Sequence, residues 1–300
     1  MRIIRHTQKN FASAIAKLNR RATPPAGVEK IVSNVLANVE KNGDKALLEL
    51  TKKFDGADFK SAGKLRVTDA ELAAAEKSVD SKTKRAIAAS QKNVIAFAKK
   101  SLRKNWSGKN AQGALVGEMY QPFERVGIYV PGGTAPLVST SNMTVCLAAA
   151  AGCPEIVVTT PPGKDGTLNP ALLYALKTAG ATEIYKLGGA QAIAALGFGT
   201  RTIEPVLKVY GPGNSFVVEA KRQMFGVMAV DLLPGPSEVV VLADSSGKAE
   251  FIAADMLAQA EHGPDSVMGF ITDSEKLLDD VQTAVRRQIK TLSRQDQLKG

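Results

Sequence analysis

The fold is decided by residues 155–197, EIVVTTPPGKDGTLNPALLYALKTAGATEIYKLGGAQAIAALG. Residues 155–159 form a short β-branched run, the composition of a strand buried on both faces. Asn169-Pro170 is a helix start: an amide side chain that can cap, then a residue whose fixed φ suits the first turn. That helix reaches Ala179-Gly180, where glycine ends it. Residues 183–186 read as a second strand and residues 190–197 as a second helix. Strand and helix alternating at this spacing build a parallel sheet, because each helical crossover returns the chain to the edge it left.

The rhythm extends in both directions. Upstream, residues 126–130 read as a strand, and Pro131-Gly-Gly-Thr-Ala-Pro136 leads into a helix over residues 139–151. Downstream come a strand at 206–210, a helix at 214–225 and a strand at 227–233, with Pro234-Gly-Pro236 as the return. Residues 239–243 are continuously apolar, as in a buried strand, and Asp244-Ser-Ser-Gly247 is turn chemistry. A helix follows with Ile252, Met256, Leu257 and Ala260 as its buried stripe, stopped by Gly263-Pro264. Residues 267–271 form the last strand, and Thr272-Asp-Ser-Glu275 is a capping box opening a helix to about Leu292.

The first third is different. Residues 25–105 are helical, with stripes at Ile31, Val35, Leu36 and Val39, and at Ile87, Val94, Ile95 and Phe97. Thr68-Asp-Ala-Glu71 is a second capping box, and Phe54-Asp-Gly56 closes an earlier helix. Residues 114–116 and 119–120 read as short strands. Residues 1–24 are an arm with one short stripe, Phe11, Ile15 and Leu18: either a frayed end or a piece that docks on a neighbouring subunit.

Composition narrows the function. Three hundred residues, 44% hydrophobic and 23% charged, are an ordinary globular chain long enough for two compact units. No apolar run reaches membrane-spanning length, and the first six residues lack an apolar signal region, so the expected location is the cytoplasm. Cys146 and Cys153 fit neither CxxC nor a disulfide framework and read as small thiols of a reducing compartment. The formal charge is +10, with much of the excess on helical positions between Lys52 and Lys109. Those cations interleave with apolar positions and have no aromatic stacking platform, so they read as solvated faces that steer an anionic ligand rather than as a nucleic-acid surface. Only His6 and His262 can supply an imidazole, and His6 sits in the arm as a surface residue.

Three turns at strand C-termini carry glycine: Pro131-Gly-Gly133, Gly188-Gly-Ala-Gln191 and Gly211-Pro-Gly-Asn214. Each is compatible with plain turn geometry. Three on one sheet edge favour a phosphorylated ligand or dinucleotide, although G-x-G-x-x-G is absent. Gln259 and His262 stand three apart and leave the same side of a helix end. By spacing alone, that pair is a helix-end histidine capping carbonyls as readily as half a metal site.

Taken together, six ordered blocks resemble histidinol dehydrogenases: residues 124–136 (ERVGIYVPGGTAP), 186–196 (KLGGAQAIAAL), 211–214 (GPGN), 220–222 (AKR), 235–238 (GPSE) and 254–262 (ADMLAQAEH). The resemblance runs from about residue 25 onward. It implies a zinc-dependent, homodimeric oxidoreductase that exchanges terminal pieces between subunits. Its reaction is the last step of histidine biosynthesis, L-histidinol to L-histidine by two NAD in succession through a bound aldehyde. It implies an α/β fold of two doubly wound Rossmann-like domains with mostly parallel sheets, preceded by a helical N-terminal region. Residues 125–236 would bind NAD, and residues 25–124 with 237–300 would form a discontinuous, incomplete zinc and substrate domain. By motif position, Tyr129, Gln191 and Asn214 would contact NAD. Ser237, Gln259 and His262 would contact substrate, and Gln259 and His262 would also ligate zinc.

The same resemblance assigns the family's catalytic Glu-His pair and two further zinc ligands, an Asp and a His, to sequence beyond Gly300, and Glu261-His262 is not that pair. The expectation is therefore a truncated chain that does not turn over histidinol at a useful rate. Two other readings compete. One is a related zinc/NAD dehydrogenase for another polar alcohol, such as a sulfonated diol. The other is a non-catalytic remnant binding nucleotide or nucleic acid through its basic face. The PGGTAP loop favours histidinol over the first.

Overall fold

The computed structural model describes residues 2–18, 26–132, 137–233, 237–261 and 266–292. The chain divides into two compact units, Met1–Thr23 with Pro234–Gly300, and Pro24–Leu233. The short helix α1 (Phe11–Ala16) belongs to the first.

The second unit begins with helices α2 (Val28–Asn42), α3 (Asp44–Asp55), α4 (Asp69–Ser78) and α5 (Ser81–Ser101). The Thr68 box that opens α4 is complete: the Thr68 hydroxyl accepts from the Glu71 amide, and the Glu71 carboxylate accepts from the Thr68 amide. A hairpin of β1 (Trp106–Lys109) and β2 (Leu115–Glu118) follows, paired antiparallel. Then come β3 (Arg125–Tyr129), α6 (Val138–Ala151), β4 (Glu155–Thr160), α7 (Pro170–Ala179), β5 (Glu183–Lys186), α8 (Gly189–Phe198), β6 (Lys208–Tyr210), α9 (Ser215–Met224) and β7 (Ala229–Val230).

These strands form one parallel sheet in the order β5-β4-β3-β6-β7. The chain works outward on one side from β3, then crosses to β6, so β3 and β6 flank the point where the winding reverses. Alternate side chains face opposite layers. Val126, Ile128, Ile156, Val158 and Ile184 pack with α4, α6 and α7, whereas Tyr129, Val157, Tyr185 and Val209 pack with α2, α3, α8 and α9. Covering on both faces explains why these strands read as continuous apolar runs.

The N-terminal edge of this sheet is tied by charge. The buried Arg125 guanidinium donates to Glu155 at 2.6 Å and to Glu183 at 3.1 Å, linking the first residues of three adjacent strands. Burial pushes the Glu183 carboxyl up, but hydrogen bonds from Arg125 and Tyr185 hold it below its ordinary range. A concavity of about 370 Å³ lies beside these groups, lined by Arg66, Thr68, Asp69 and Glu183 among others.

In the other unit β8 (Glu238–Leu242) and β9 (Val267–Ile271) pair in parallel, and α10 (Ala249–Ala260) packs on α11 (Glu275–Ile289) through Ile252, Leu257, Leu277, Val281 and Val285. The arm folds back within this unit: Arg5 makes two hydrogen bonds to Glu275, and a groove of about 940 Å³ lies between Ile3–His6 and the β8 and β9 ends.

Several expectations are corrected. Among the described residues the second doubly wound domain amounts to this one parallel pair with two helices. Its first strand is covered on one face only: Val241 packs on the helices, while Val240 and Leu242 are exposed. Ile31 and Phe97 are exposed and the stripes shift to Val28, Val32 and Ala98. Met119 and Tyr120 lie outside β2, and β1 is a strand whose sequence carries no strand pattern. The expected strand at 227–233 is the two-residue β7. The helix after β9 is capped by Ser274, whose hydroxyl accepts from Leu277, and not by Thr272. Gly263-Pro264 lies outside the described residues.

Candidate dinucleotide site

The C-terminal edge of the five-stranded sheet contrasts with its tied N-terminal edge. Here buried polar groups lack partners. Tyr129 ends β3 and is buried, and its hydroxyl accepts a hydrogen bond from the Gly189 amide at 3.1 Å. Burial pushes the phenol up to about 12, and the neighbouring Asp55 charge adds to the shift. Among the described residues that O–H donates to nothing, so it can serve a ligand.

Gln191 stands in the first turn of α8, 1% exposed, and neither its amide nitrogen nor its amide oxygen has a hydrogen-bond partner. Natural folds rarely leave both halves of a buried amide unmatched. Gly189 makes the approach possible. Its φ is +65°, and a Cβ there would stand 2.7 Å from the Gln191 oxygen. The Thr159 and Thr160 hydroxyls at the end of β4 are also buried and unpartnered.

The loop after β6 meets β3 at the reversal point. A Cβ on Gly211, at φ +120°, would fall 2.1 Å from the Tyr129 carbonyl oxygen, so only glycine fits. Both backbone groups of Gly211 are held. Its amide donates to Asp231 at 2.8 Å, and its carbonyl accepts from Lys221, which also donates to Asp231 at 2.7 Å. Lys221 is 1% exposed, and burial pulls its pKa down against the opposing pull of Asp231. Asn214 then caps α9, its side-chain oxygen accepting from the Phe216 and Val217 amides, which leaves the side-chain nitrogen as a donor.

The structure therefore brings Tyr129, Gln191 and the Gly211 loop to one sheet edge. Orphaned amide and hydroxyl groups, together with glycines whose missing side chains leave room at the backbone, fit a dinucleotide. The two concavities noted above lie elsewhere, on the opposite sheet edge and in the other unit. Sequence reasoning missed Asp55, Thr159, Thr160, Lys221 and Asp231. Asp55 carried one legible signal: an acid closing a helix, where the helix field opposes it.

The residues expected at the metal are less complete. Ser237 is exposed, and its carbonyl accepts from Val267 at 3.4 Å. Gln259 is half-buried, and its amide nitrogen donates to the Ser266 hydroxyl at 3.2 Å, which leaves its oxygen available. His262 lies outside the described residues. Among the described residues no three His, Cys, Asp or Glu side chains group as a metal would require. No described helix is long and apolar enough to cross a membrane.

Comparison with known proteins gives one consistent result. The profile of a family described as histidinol dehydrogenase matches residues 18–300. Histidinol dehydrogenase from Xylella fastidiosa (strain Temecula1 / ATCC 700964) is 43% identical over 297 residues, 98% of this chain and 68% of that protein. The Geobacillus kaustophilus (strain HTA426) protein of that name is 44% identical over 279 residues, 92% of this chain and 65% of that one. The crystal structure of histidinol dehydrogenase from Elizabethkingia anophelis superposes with a TM-score of 0.88 at 37% identity, over 95% of this chain and 65% of that one. The chain thus spans about two thirds of the length of these relatives.

Proposed function

The chain belongs to the histidinol dehydrogenase family, and on that premise we propose that its five-stranded sheet binds NAD at the β3/β6 reversal for the oxidation of L-histidinol to L-histidine. The observation that carries this reading is Gln191, a buried amide with nothing to bond, two residues from the Gly189 amide that donates to the Tyr129 hydroxyl. A primary carboxamide such as that of nicotinamide offers the complementary donor and acceptor. Tyr129 would donate its O–H and Asn214 its side-chain N–H. When bound, NAD supplies the hydride acceptor, and the protein supplies position and exclusion of water.

Ser237, Gln259 and His262 are the residues proposed to meet the substrate, and Gln259 and His262 those that would hold zinc. Such an ion would fix the substrate's amine and imidazole. The reading includes a homodimer. These 300 residues assayed alone are expected to bind NAD without sustaining turnover, because none of them is assigned as the general base.

The test is a calorimetric titration of NAD into the wild-type chain and Gln191→Met. Methionine keeps the volume and removes both unmatched polar atoms, so thermal stability should hold or rise while affinity falls about tenfold or more. Equal affinity in the two proteins would remove Gln191 from the site. No binding by the wild type would remove the site.

A further inference from the structure

Asp55 is the only carboxylate among the described residues with a buried oxygen that no donor reaches. Three observations place it at the dinucleotide edge. Its other oxygen lies 3.1 Å from where a Cβ of Gly188 would stand. Pro161, just past the unpartnered Thr159 and Thr160, crowds the same point at 2.5 Å. Its charge is felt at the Tyr129 hydroxyl.

The surroundings do nothing to balance that charge. Asp55 is the last residue of α3, at the negative end of the helix. The cations nearby are otherwise engaged: Lys52 pairs with Asp58, and Lys186 pairs with Glu71. Lys164 lays its methylenes against Gly56 without a hydrogen bond to Asp55. Burial alone raises the carboxyl to about 6, so it is largely ionised at neutral pH. A carboxylate kept ionised and unmatched among converging loops is suited to donors that arrive with a ligand.

We infer that Asp55 is the ribose-reading residue of this site, accepting hydrogen bonds from a vicinal diol and repelling a ribose 2′-phosphate, so that the chain takes NAD and rejects NADP. This rests on the dinucleotide reading above. The donor and acceptor inventory makes the division of labour. Gln191 offers both a donor and an acceptor group, matching a carboxamide, whereas an ionised carboxylate offers acceptors only, matching two adjacent hydroxyls. Open α/β sheets that read ribose commonly do so with an acid at the C-terminal edge. Here the acid comes from the helical region before the sheet and not from a strand end.

The experiment is calorimetric titration of the 300-residue chain with NAD and with NADP at pH 8, for wild type, Asp55→Asn and Asp55→Ser. A hydrogen bond to a charged group predicts that both variants lose about tenfold or more in NAD affinity. NADP affinity should hold or improve, so the NAD-to-NADP ratio collapses. Thermal unfolding of each variant reports the fold, and two substituents of different size guard against a local packing effect. Wild-type NAD binding with an unchanged ratio in the variants overturns this inference and leaves the dinucleotide site standing. Failure of the wild type to bind either nucleotide overturns both.

Discussion

Asp55 works against the fold it belongs to. Its carboxyl titrates near 3.9 in an unfolded chain and at about 6 here, raised by burial. Below pH 4 it is protonated in both states and contributes no penalty. As pH rises toward 6 the unfolded chain ionises first, so native stability is lost across that window. Above it both states are ionised and the penalty is constant. Asp55→Asn should therefore raise the melting temperature at pH 8, by on the order of 2–4 °C after allowance for solvent screening, with the gain fading toward pH 4. A melting temperature unchanged or lowered at pH 8 would mean the carboxylate has a partner. At this scale the sequence was half legible. Gln191 and Tyr129, the residues proposed for the dinucleotide, stand in motifs that single them out. Asp55 carried only the signal of an acid at a helix end, because Phe54-Asp-Gly reads as an ordinary helix-ending turn until α3 is seen beside Gly188.

Elements were legible where local chemistry and packing agree. β4, α7 and β5 match expectation because β-branched runs, the Asn169 cap and Gly180 each act within a few residues. Elements set by distant partners were not. β1 is Trp-Ser-Gly-Lys, which has no strand pattern and exists through its pairing with Leu115–Glu118. β7 lies at the sheet edge and pairs with β6 through two residues only. The Gly211 loop shows the same dependence on distance, since Lys221 and Asp231 grip it from ten and twenty residues further along the chain. Lys221→Met should cost about 3 kcal/mol in urea unfolding, the low end for breaking a buried pair because Asp231 is partly exposed. It should also weaken NAD binding by freeing the loop that leads to Asn214. Stability within 1 kcal/mol of wild type, set against that ~3 kcal/mol, would show that the loop holds its shape without the clamp.

The whole molecule is two units, each with a core of its own. The two large apolar clusters lie entirely within residues 28–230, and a third lies within residues 241–292. A parallel sheet with helices on both faces has no uncovered apolar layer of its own, and this one has its N-terminal edge fastened by Arg125. Every residue proposed for the dinucleotide, Asp55, Tyr129, Gln191 and Asn214, falls in this unit, whereas Ser237, Gln259 and His262 fall in the other. Cofactor binding and metal binding should therefore separate. A fragment of residues 24–233 is expected to unfold cooperatively and to bind NAD within about threefold of the 300-residue chain, a difference under 1 kcal/mol. It should show no zinc-dependent change in stability, and any such change in the longer chain should disappear with His262→Ala. A fragment that folds but loses NAD would mean that residues 234–300 contribute to the dinucleotide site. One that does not fold would mean that the sheet depends on them for stability, a dependence that its covered faces and fastened edge argue against.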